Sequence, residues 1–508
     1  MSRAVGYEHL RSALGLSAFP PEQPAVVAAV NQLEARPDAL AVPAAQAPDP
    51  DDLLGHALFA LKHEGTNLQV LAEALPRIGA DPIQQALRLR PNGRYLRIIG
   101  YLWEVFTGET LRDVPAAGGA TVPLFDPARY IVPDGAGERS ARWRVAFNGL
   151  GSPHACVTVR RTPTVEAALA ADVLAQARAL AEGIEQPLLE RALAWAYLGE
   201  TRASFEIERE APSQDKAQAF AALLRLAHDP RPLTEDYLVT LQCATVTNPF
   251  DRAAAFRHQQ NWLASAAPGA SGVTYLPPPP ALARELMDAL MAFANGTARQ
   301  TDPVVAAACI SFAFVLIHPF MDGNGRLSRF LFHHTLCQSG ALPNGLILPV
   351  SIAMAAHERE YLEALQSFSR PARQAWQVEQ LDGDRFAFTL QGAPSLYRYW
   401  DATACVAFSL RMAQTAVDTH LSGQVRFMRQ FDAVADHINA RFDIQGPTLR
   451  TLIVSCLQYD GRLSQRRRDQ YRDAVPEGAY AAIEAACRTV LDDDRTAAMQ
   501  RPAGFAPG

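Results

Sequence analysis

Twelve consecutive residues, His318 to Arg329, constrain this chain more than any other segment, and they read HPFMDGNGRLSR. The apolar run before them, Ala306 to Ile317, has helical spacing and must end at His318, because a residue that precedes proline is disfavoured in the α region. Two glycines then allow a tight turn, and a second apolar run, Leu327 to Leu336, predicts another helix. The sequence therefore predicts two helices joined by a polar glycine loop.

Groups that bind anions are concentrated in this loop. A glycine loop at a helix start directs backbone N–H groups and the positive end of the helix dipole at one point, which suits phosphate. Arg326 and Arg329 are three residues apart, so they share a helical face on which two guanidinium groups can hold successive phosphates. Asp322 offers the oxygen ligand that Mg²⁺ prefers, and His318 can accept a proton near neutral pH. The stretch therefore indicates a site of phosphoryl or nucleotidyl transfer.

The same stretch matches, at every fixed position, the signature HPFx[D/E]GNGRxxR, and on these residues the chain resembles the Fic family. The resemblance implies a protein adenylyltransferase that moves AMP from ATP to a Ser, Thr or Tyr hydroxyl of a target protein, with auto-modification possible. ATP and Mg²⁺ are then the expected substrate and cofactor. His318 would act as the general base, and Asp322 would hold Mg²⁺ against the phosphates.

The resemblance also assigns groups to the individual phosphates. Asn324 and the backbone N–H groups of Gly323 and Gly325 would bind the α- and β-phosphates. Arg326 would pair with the β-phosphate and Arg329 with the γ-phosphate. The signature reads phosphates rather than the base, so UTP, GTP or a phosphocholine donor stays open as an alternative.

A second motif precedes the signature, at Ser204 and Glu208. These residues are four apart in a helical context and share a face. They resemble the inhibitory motif [S/T]xxxE[G/N] of autoinhibited family members, which implies that Glu208 pairs with Arg329 in place of the γ-phosphate. Arg209 departs from the motif, because glycine or asparagine is usual there, and this puts the predicted end of the helix in doubt.

A third resemblance lies between these two motifs. Phe256-Arg257 and Gln260-Asn261-Trp262 are similar to the family's YRxxQxWI segment. The residues from Ser265 to Leu276 are expected to form the family's flap, a small hairpin that binds the target peptide. Four prolines follow the flap and cannot donate hydrogen bonds to a strand ladder, so a rigid extended linker is the alternative.

Composition sets the wider expectations. The 508 residues suggest roughly two to four domains at about 150 residues each. The net charge of −6 makes nucleic acid an unlikely partner, and the seven scattered cysteines are typical of reduced thiols. The start of the chain lacks the apolar segment of a secretion signal, and no apolar run is long enough to span a membrane. We therefore expect a cytoplasmic protein without a membrane segment, whose oligomeric state the sequence does not indicate.

The predicted fold is mostly α-helical. It consists of a Fic-type helical core with a small β-hairpin flap, plus accessory N- and C-terminal domains. We expect a helical accessory domain at 1–125, a small β element with a connecting helix at 126–184, and the catalytic core at 185–370, with the inhibitory helix near 200–210. A hairpin and a helical domain would occupy 371–508.

Shorter patterns refine this picture. Three short runs in the β element predict strands: Tyr130–Val132, Arg142–Phe147 and Cys156–Val159. Asp382-Gly383 between two alternating runs predicts the later hairpin. Helices are expected from Leu396 to about Arg441 and from Pro447 to Tyr459. His333 and His334, on the helix after the signature, fit a core edge better than a metal site.

Two other functions remain open at this point. The same site could remove AMP from a modified protein, with Glu208 activating water. Alternatively, the fold could be a regulatory module that binds nucleic acid through the basic run Gly461–Arg468, although a solvated helix start explains that run more simply.

Overall fold

The computed structural model describes residues 3–246, 248–343, 345–382 and 385–500. The N-terminal part begins with helices around a small sheet. Its helices are α1 (Gly6–Ala13), α2 (Leu53–His63), α3 (Leu68–Ile78), α4 (Ala80–Leu89) and α5 (Arg94–Thr107). Between α1 and α2 lie three strands, β1 (Ala25–Ala28), β2 (Glu34–Ala35) and β3 (Leu40–Pro43), in the order β1-β3-β2. The sequence analysis did not predict this sheet, because its short, alanine- and valine-rich runs have no clear alternation.

Five short strands follow and form parts of two further sheets. They are β4 (Val122–Pro123), β5 (Glu138–Ser140), β6 (Val145–Phe147), β7 (Leu150–Ser152) and β8 (Ala155–Thr158). The predicted runs at 142–147 and 156–159 overlap β6 and β8. The strand predicted at 130–132 is wrong, because Tyr130 makes only an isolated bridge with Arg160.

The central part is helical around one fully buried helix. Its elements are α6 (Pro163–Ala170), α7 (Val173–Glu182), α8 (Gln186–Ile207), α9 (Gln214–Arg225), α10 (Glu235–Thr245), β9 (Leu263–Ala264), β10 (Val273–Tyr275), α11 (Pro280–Asn295), α12 (Pro303–Ile317), α13 (Asn324–Gln338), α14 (Val350–Ala356) and α15 (Glu358–Gln374). Helix α12 is apolar on all sides, as a core helix must be, and the largest apolar cluster surrounds it. The mostly helical fold predicted from the sequence is thus confirmed.

Two hairpins pack together beside this core. The antiparallel pair β9–β10 lies in the region predicted for the flap, with its first strand starting at Leu263 rather than after Ser265. The second hairpin, β11 (Trp376–Asp382) with β12 (Arg385–Leu390), is the predicted one, although its turn residues Gly383 and Asp384 lie outside the described residues. Trp262, just before β9, packs its ring against Phe386 and Phe388 of the second hairpin.

The C-terminal part begins within the central apolar cluster at residues 396–421 and has a separate cluster of its own only from Val434 onward. Its elements are α16 (Ser395–Arg398), β13 (Tyr399–Asp401), α17 (Thr403–Thr415), a π-helical turn (Ala416–Leu421), α18 (Ser422–Asn439), α19 (Gly446–Gln458), α20 (Gln465–Gln470) and α21 (Glu477–Gln500). The helix predicted from Leu396 to about Arg441 is wrong in its continuity, because α16 ends at Arg398 and the next helix begins at Thr403. Residues 399–401 form β13, which pairs in parallel with β8.

The residues after the expected core add two observations. Helix α15 continues through Pro371 to Gln374 and so crosses the expected boundary at residue 370. In and beside the basic run, Arg468 is ion-paired with Glu484 and Arg472 with Asp469.

Within the described ranges, none of the helices combines the length and the apolar character needed to cross a bilayer.

Arg257 ties the base of the flap to the loop after α12. Its buried guanidinium donates to the backbone carbonyls of His318 at 2.8 Å, Pro278 at 2.6 Å and Gln259 at 2.9 Å. Burial lowers the pKa of Arg257 to about 10, which still leaves the side chain charged at neutral pH. One side chain thus satisfies three carbonyl groups from segments that are distant in sequence.

Arg257→Ala should lower the free energy of unfolding by about 3 kcal/mol, because it leaves buried carbonyls without their charged donor. Urea unfolding monitored by circular dichroism measures this loss. Arg284→Ala is the matched control, because Arg284 forms an exposed ion pair with Glu235 and should cost under about 1 kcal/mol. Equal losses for the two variants would contradict the role given to Arg257.

Candidate functional site

His318 follows the last residue of α12, where the next residue, Pro319, disfavours a further helical residue. The φ of 54° at His318 lies in the left-handed region, and its side chain is only 8% exposed. Nδ1 lies 3.2 Å from the carbonyl oxygen of Val315. A carbonyl can only accept a hydrogen bond, so Nδ1 carries the proton and Nε2 keeps the lone pair. Burial lowers the pKa of His318 to about 4, and the imidazole is therefore a neutral base at pH 7.

Asn324 organises the loop that follows. Its side-chain oxygen accepts from the backbone N–H of Phe320 at 3.0 Å, and its amide donates to the Phe320 carbonyl at 2.8 Å. The Phe320 ring is fully buried and packs against Phe256 and Phe314. The Asn324 side chain is thus engaged within the loop, and a phosphate contact from it stays a prediction.

The start of α13 is open to an anion. Gly323 precedes the helix with φ 86°, and no side chain among the described residues caps this end. The first N–H groups of a helix have no partner within the helix, and the dipole makes this end positive. A Cβ atom at Gly325 would lie 1.9 Å from Oε1 of Glu208, so a carboxylate oxygen sits directly over this glycine.

Asp322 lies at the edge of the loop with its side chain 41% exposed. Oδ1 accepts from the backbone N–H of Gly323 at 2.6 Å, and Oδ2 is 3.4 Å from Arg326. Gln242 of α10 donates to the Asp322 carbonyl at 3.2 Å and steadies the loop from outside. Within the described residues, no three His, Cys, Asp or Glu side chains are grouped closely enough to form a metal site by themselves.

Arg329 is buried and bound by the C-terminal end of α8. Its Nε donates to Oγ of Ser204 at 2.8 Å, and its Nη2 donates to the Ser204 carbonyl and to Glu208 Oε1, both at 2.8 Å. Burial is the largest single influence and would lower the pKa of Arg329, but Glu208, with smaller contributions from Tyr361 and Glu200, raises it overall. The structure therefore brings together Ser204, Glu208 and Arg329, which are widely separated in sequence.

Arg326 has a parallel arrangement that the sequence analysis missed. Its Nη1 donates to Glu210 at 2.9 Å and to the Thr245 carbonyl at 3.3 Å. Its guanidinium also stacks over the ring of Phe205, 5.1 Å from the ring centre. In the sequence, Glu210 is distinguished only by its position two residues after Glu208. That position does not indicate a contact with Arg326 unless the conformation at the end of α8 is known.

The end of α8 explains both carboxylates. The N–H of Glu210 bonds the Phe205 carbonyl at 3.0 Å, and the N–H of Arg209 bonds the Glu206 carbonyl at 2.8 Å. This is the Schellman ending of a helix, in which the residue at the Arg209 position must be left-handed. Arg209 has φ 58°, so the doubtful helix end forms despite the missing glycine or asparagine.

His333 of α13 contacts Glu200 of α8 and so links the two helices in the core. Its Nε2 lies 2.7 Å from Oε1 of Glu200, and both side chains are 1% exposed. The other Glu200 oxygen accepts from the backbone N–H of Ser351 at 2.8 Å. His334 is also buried, and its pKa is lowered by burial to about 4. Both histidines therefore lie in the core, as the sequence analysis favoured.

Arg209→Gly should raise the free energy of unfolding by about 1 kcal/mol, because a left-handed L-residue costs about that much more than glycine. Thermal and urea unfolding measure the gain. Arg209→Ala is the control: it removes the same exposed side chain but keeps Cβ, so it should bring no gain. A destabilised Arg209→Gly protein would contradict this account of the α8 ending.

A family model described as the Fic/DOC family matches residues 232–336, which include α10 to α13 and the loop between α12 and α13. A Fido domain-containing protein of Dictyostelium discoideum is 35% identical over 71 residues, which are 14% of this chain and 45% of that relative. The protein adenylyltransferases fic-1 of Caenorhabditis briggsae and Caenorhabditis elegans are each 47% identical over 49 residues, 10% of this chain. The chain thus spans under half of the first relative and 9% of the other two.

Two solved structures resemble the chain distantly. A Fic family protein from Desulfovibrio desulfuricans has a TM-score of 0.38 and 18% identity, covering 68% of this chain and 98% of its own. Fic-1 (residues 134–508) from Caenorhabditis elegans has a TM-score of 0.34 and 15% identity, covering 73% of this chain and 91% of its own. With the matched segment and the signature loop taken together, this chain contains a domain of the Fic/DOC family.

Proposed function

We propose that the chain is a protein adenylyltransferase that transfers AMP from Mg-ATP to a Ser, Thr or Tyr hydroxyl of a target protein. We further propose that Glu208 holds it inactive through Arg329. One observation carries the proposal. An oxygen of the Glu208 carboxylate lies against Gly325 in the first turn of α13 and accepts a hydrogen bond from the buried Arg329, next to a helix start that favours a phosphate.

The residues present fit a nucleotide polyphosphate. Arg326 and Arg329 are 1% and 2% exposed. Nε of Arg326 makes no hydrogen bond to the described residues, and the hydroxyl of Tyr361 is a neighbour of Arg329. A phosphate group offers several acceptor oxygens to guanidinium N–H donors, and bidentate pairing with arginine is its usual mode of recognition. The uncapped helix start supplies further N–H donors at the same place.

The residues also fit Mg²⁺ that arrives with the nucleotide. Mg²⁺ is commonly held by one or two carboxylates together with phosphate oxygens, and Asp322 supplies one exposed carboxylate. When bound, Mg²⁺ would neutralise negative charge on the phosphates.

In the proposed reaction, His318 Nε2 takes the proton from the target hydroxyl as the hydroxyl oxygen attacks the α-phosphorus. The new bond joins that oxygen to the α-phosphorus, the bond between the α-phosphorus and the bridging oxygen to the β-phosphorus breaks, and pyrophosphate leaves. Arg326 and the N–H groups at the start of α13 would hold the charge that develops on the leaving group. The β9–β10 hairpin would align the target by strand addition next to His318.

His318→Ala should lower transfer by about 10²-fold or more, because a positioned general base contributes roughly 10²–10⁴-fold. The lowered pKa, about 4, gives the sign of the pH dependence. Neutral His318 predominates above that pKa, so no acid limb from this group should occur near 6.5, and activity should fall only toward pH 4. Initial rates from pH 3.5 to 8 with labelled ATP measure both effects. Equal rates in the parent and the variant would exclude His318 from the chemistry.

Glu208→Gly should raise auto-modification and target transfer at least about tenfold, which corresponds to roughly 1.4 kcal/mol of relieved competition for Arg329. Adding Arg329→Ala should cancel the gain. Glu206→Gln is the matched control, because Glu206 is an exposed carboxylate on the same helix.

The same assay should be run with an AMP-modified target. If Glu208→Gly is no more active than the parent while His318 remains essential, then Glu208 does not inhibit transfer. If the parent only removes AMP and Glu208→Gly abolishes removal, the hydrolase alternative is correct.

A further inference from the structure

Both arginines of the signature, and not only Arg329, are held by a carboxylate from the end of α8. Glu208 lies 2.8 Å from Arg329, and Glu210 lies 2.9 Å from Arg326. The arginine side chains are buried, whereas the side chains of Glu208 and Glu210 are 34% and 36% exposed. Two partly exposed carboxylates thus form ion pairs with two buried guanidinium groups.

The geometry of the α8 ending makes the two contacts parallel. Arg209 stands between the acids in the left-handed position of the Schellman ending, so the backbone reverses there and turns both flanking residues toward α13. Arg326 and Arg329 are three residues apart on α13 and share its face. With the backbone turned in this way, Glu208 reaches Arg329 and Glu210 reaches Arg326 at the same time.

Glu210 is the shortest anionic contact of Arg326. The other carboxylate near this guanidinium, Asp322, is 3.4 Å away, at the outer limit of a hydrogen bond. Among the residues that the structure describes, its further contacts are the Thr245 carbonyl and the ring of Phe205, which are uncharged. A phosphate that is to bind Arg326 at short distance must therefore compete chiefly with Glu210, as a phosphate on Arg329 must compete with Glu208.

We infer that Glu210 makes the resting site reject nucleotides that carry a β-phosphate, so that ADP is excluded as well as ATP while AMP is not. This rests on the proposed function, in which Arg326 holds the β-phosphate and Arg329 the γ-phosphate. The two carboxylates act on different phosphates. Glu210 competes with the β-phosphate for Arg326, and Glu208 competes with the γ-phosphate for Arg329. Glu208→Gly alone therefore activates the enzyme only in part, because the leaving group still has to displace Glu210 from Arg326.

Binding of AMP, ADP and Mg-ATP to the full chain separates these contributions without requiring a target protein. Four proteins are compared by isothermal calorimetry: the parent, Glu210→Gln, Glu208→Gln and the double variant. Glutamine keeps the shape of each side chain and removes only its charge, and Glu206→Gln on the same helix is the control for loss of one surface charge. Glu210→Ser provides a smaller substitution, and thermal unfolding with and without ADP reports on the fold of each variant.

Glu210→Gln should tighten ADP binding about tenfold, while Glu208→Gln should tighten ATP binding much more than ADP binding. The double variant should bind ATP most tightly, and AMP affinity should be the same in all four proteins. Glu206→Gln should behave as the parent.

Two results would overturn the inference, and they are distinguishable. If Glu208→Gln tightens ATP binding but neither Glu210 variant changes ADP binding by more than about twofold, Glu210 is only a structural partner of Arg326 and the proposed function stands. If even the double variant binds none of the three nucleotides, the proposed function itself fails, and the role of Glu210 fails with it.

Discussion

Two buried guanidinium groups, those of Arg326 and Arg329, must be paired with anions, and several surrounding elements supply their partners. A charge removed from water is costly unless it is paired, so Arg326 and Arg329 cannot be left alone when the site is empty. Helix α8 supplies the counter-charges through Glu208 and Glu210 and adds the hydroxyl of Ser204 and the ring of Phe205. A polyanion that replaced these carboxylates would find both guanidinium groups already in place. The same physical requirement therefore underlies the ion pairs seen here and the nucleotide binding proposed for this site.

The position of α8 depends on contacts that lie behind the site. Glu200 bonds His333 on α13 and Ser351 at the start of α14, which joins three helices through one buried carboxylate. Farther along, Arg191 pairs with both oxygens of Asp432 on α18, at 2.9 and 2.7 Å. The end of α8 that meets the arginines is thus the last turn of a helix that is fixed along its length. The C-terminal part of the chain thus contacts the first half of α8, and the last turn of the same helix contacts the site.

How much the sequence could predict depended on how local each interaction is. The loop from His318 to Arg329 is contiguous, so its helices, its turn and its charged residues could be read directly from residue types. The pairing of Glu208 with Arg329 is distant in sequence and was reached through a family resemblance. Glu210 was missed because its role requires the backbone reversal at Arg209, a residue whose type argued against that conformation. Asn324 was assigned to phosphate through the family resemblance, whereas in the structure its side chain bonds the backbone of its own loop.

The strand β13 was missed for a related reason, and it has a practical consequence. Residues 399–401 were expected to be helical, yet they pair in parallel with β8, so that β8 becomes the central strand of the order β13-β8-β7. A protein truncated after α15 would lose β13 and turn β8 into an open sheet edge. Unpaired strand edges recruit other chains, so such a shortened protein would be prone to aggregate even with every residue of the candidate site present. A shortened chain that is to keep β8 paired must therefore extend at least through Asp401.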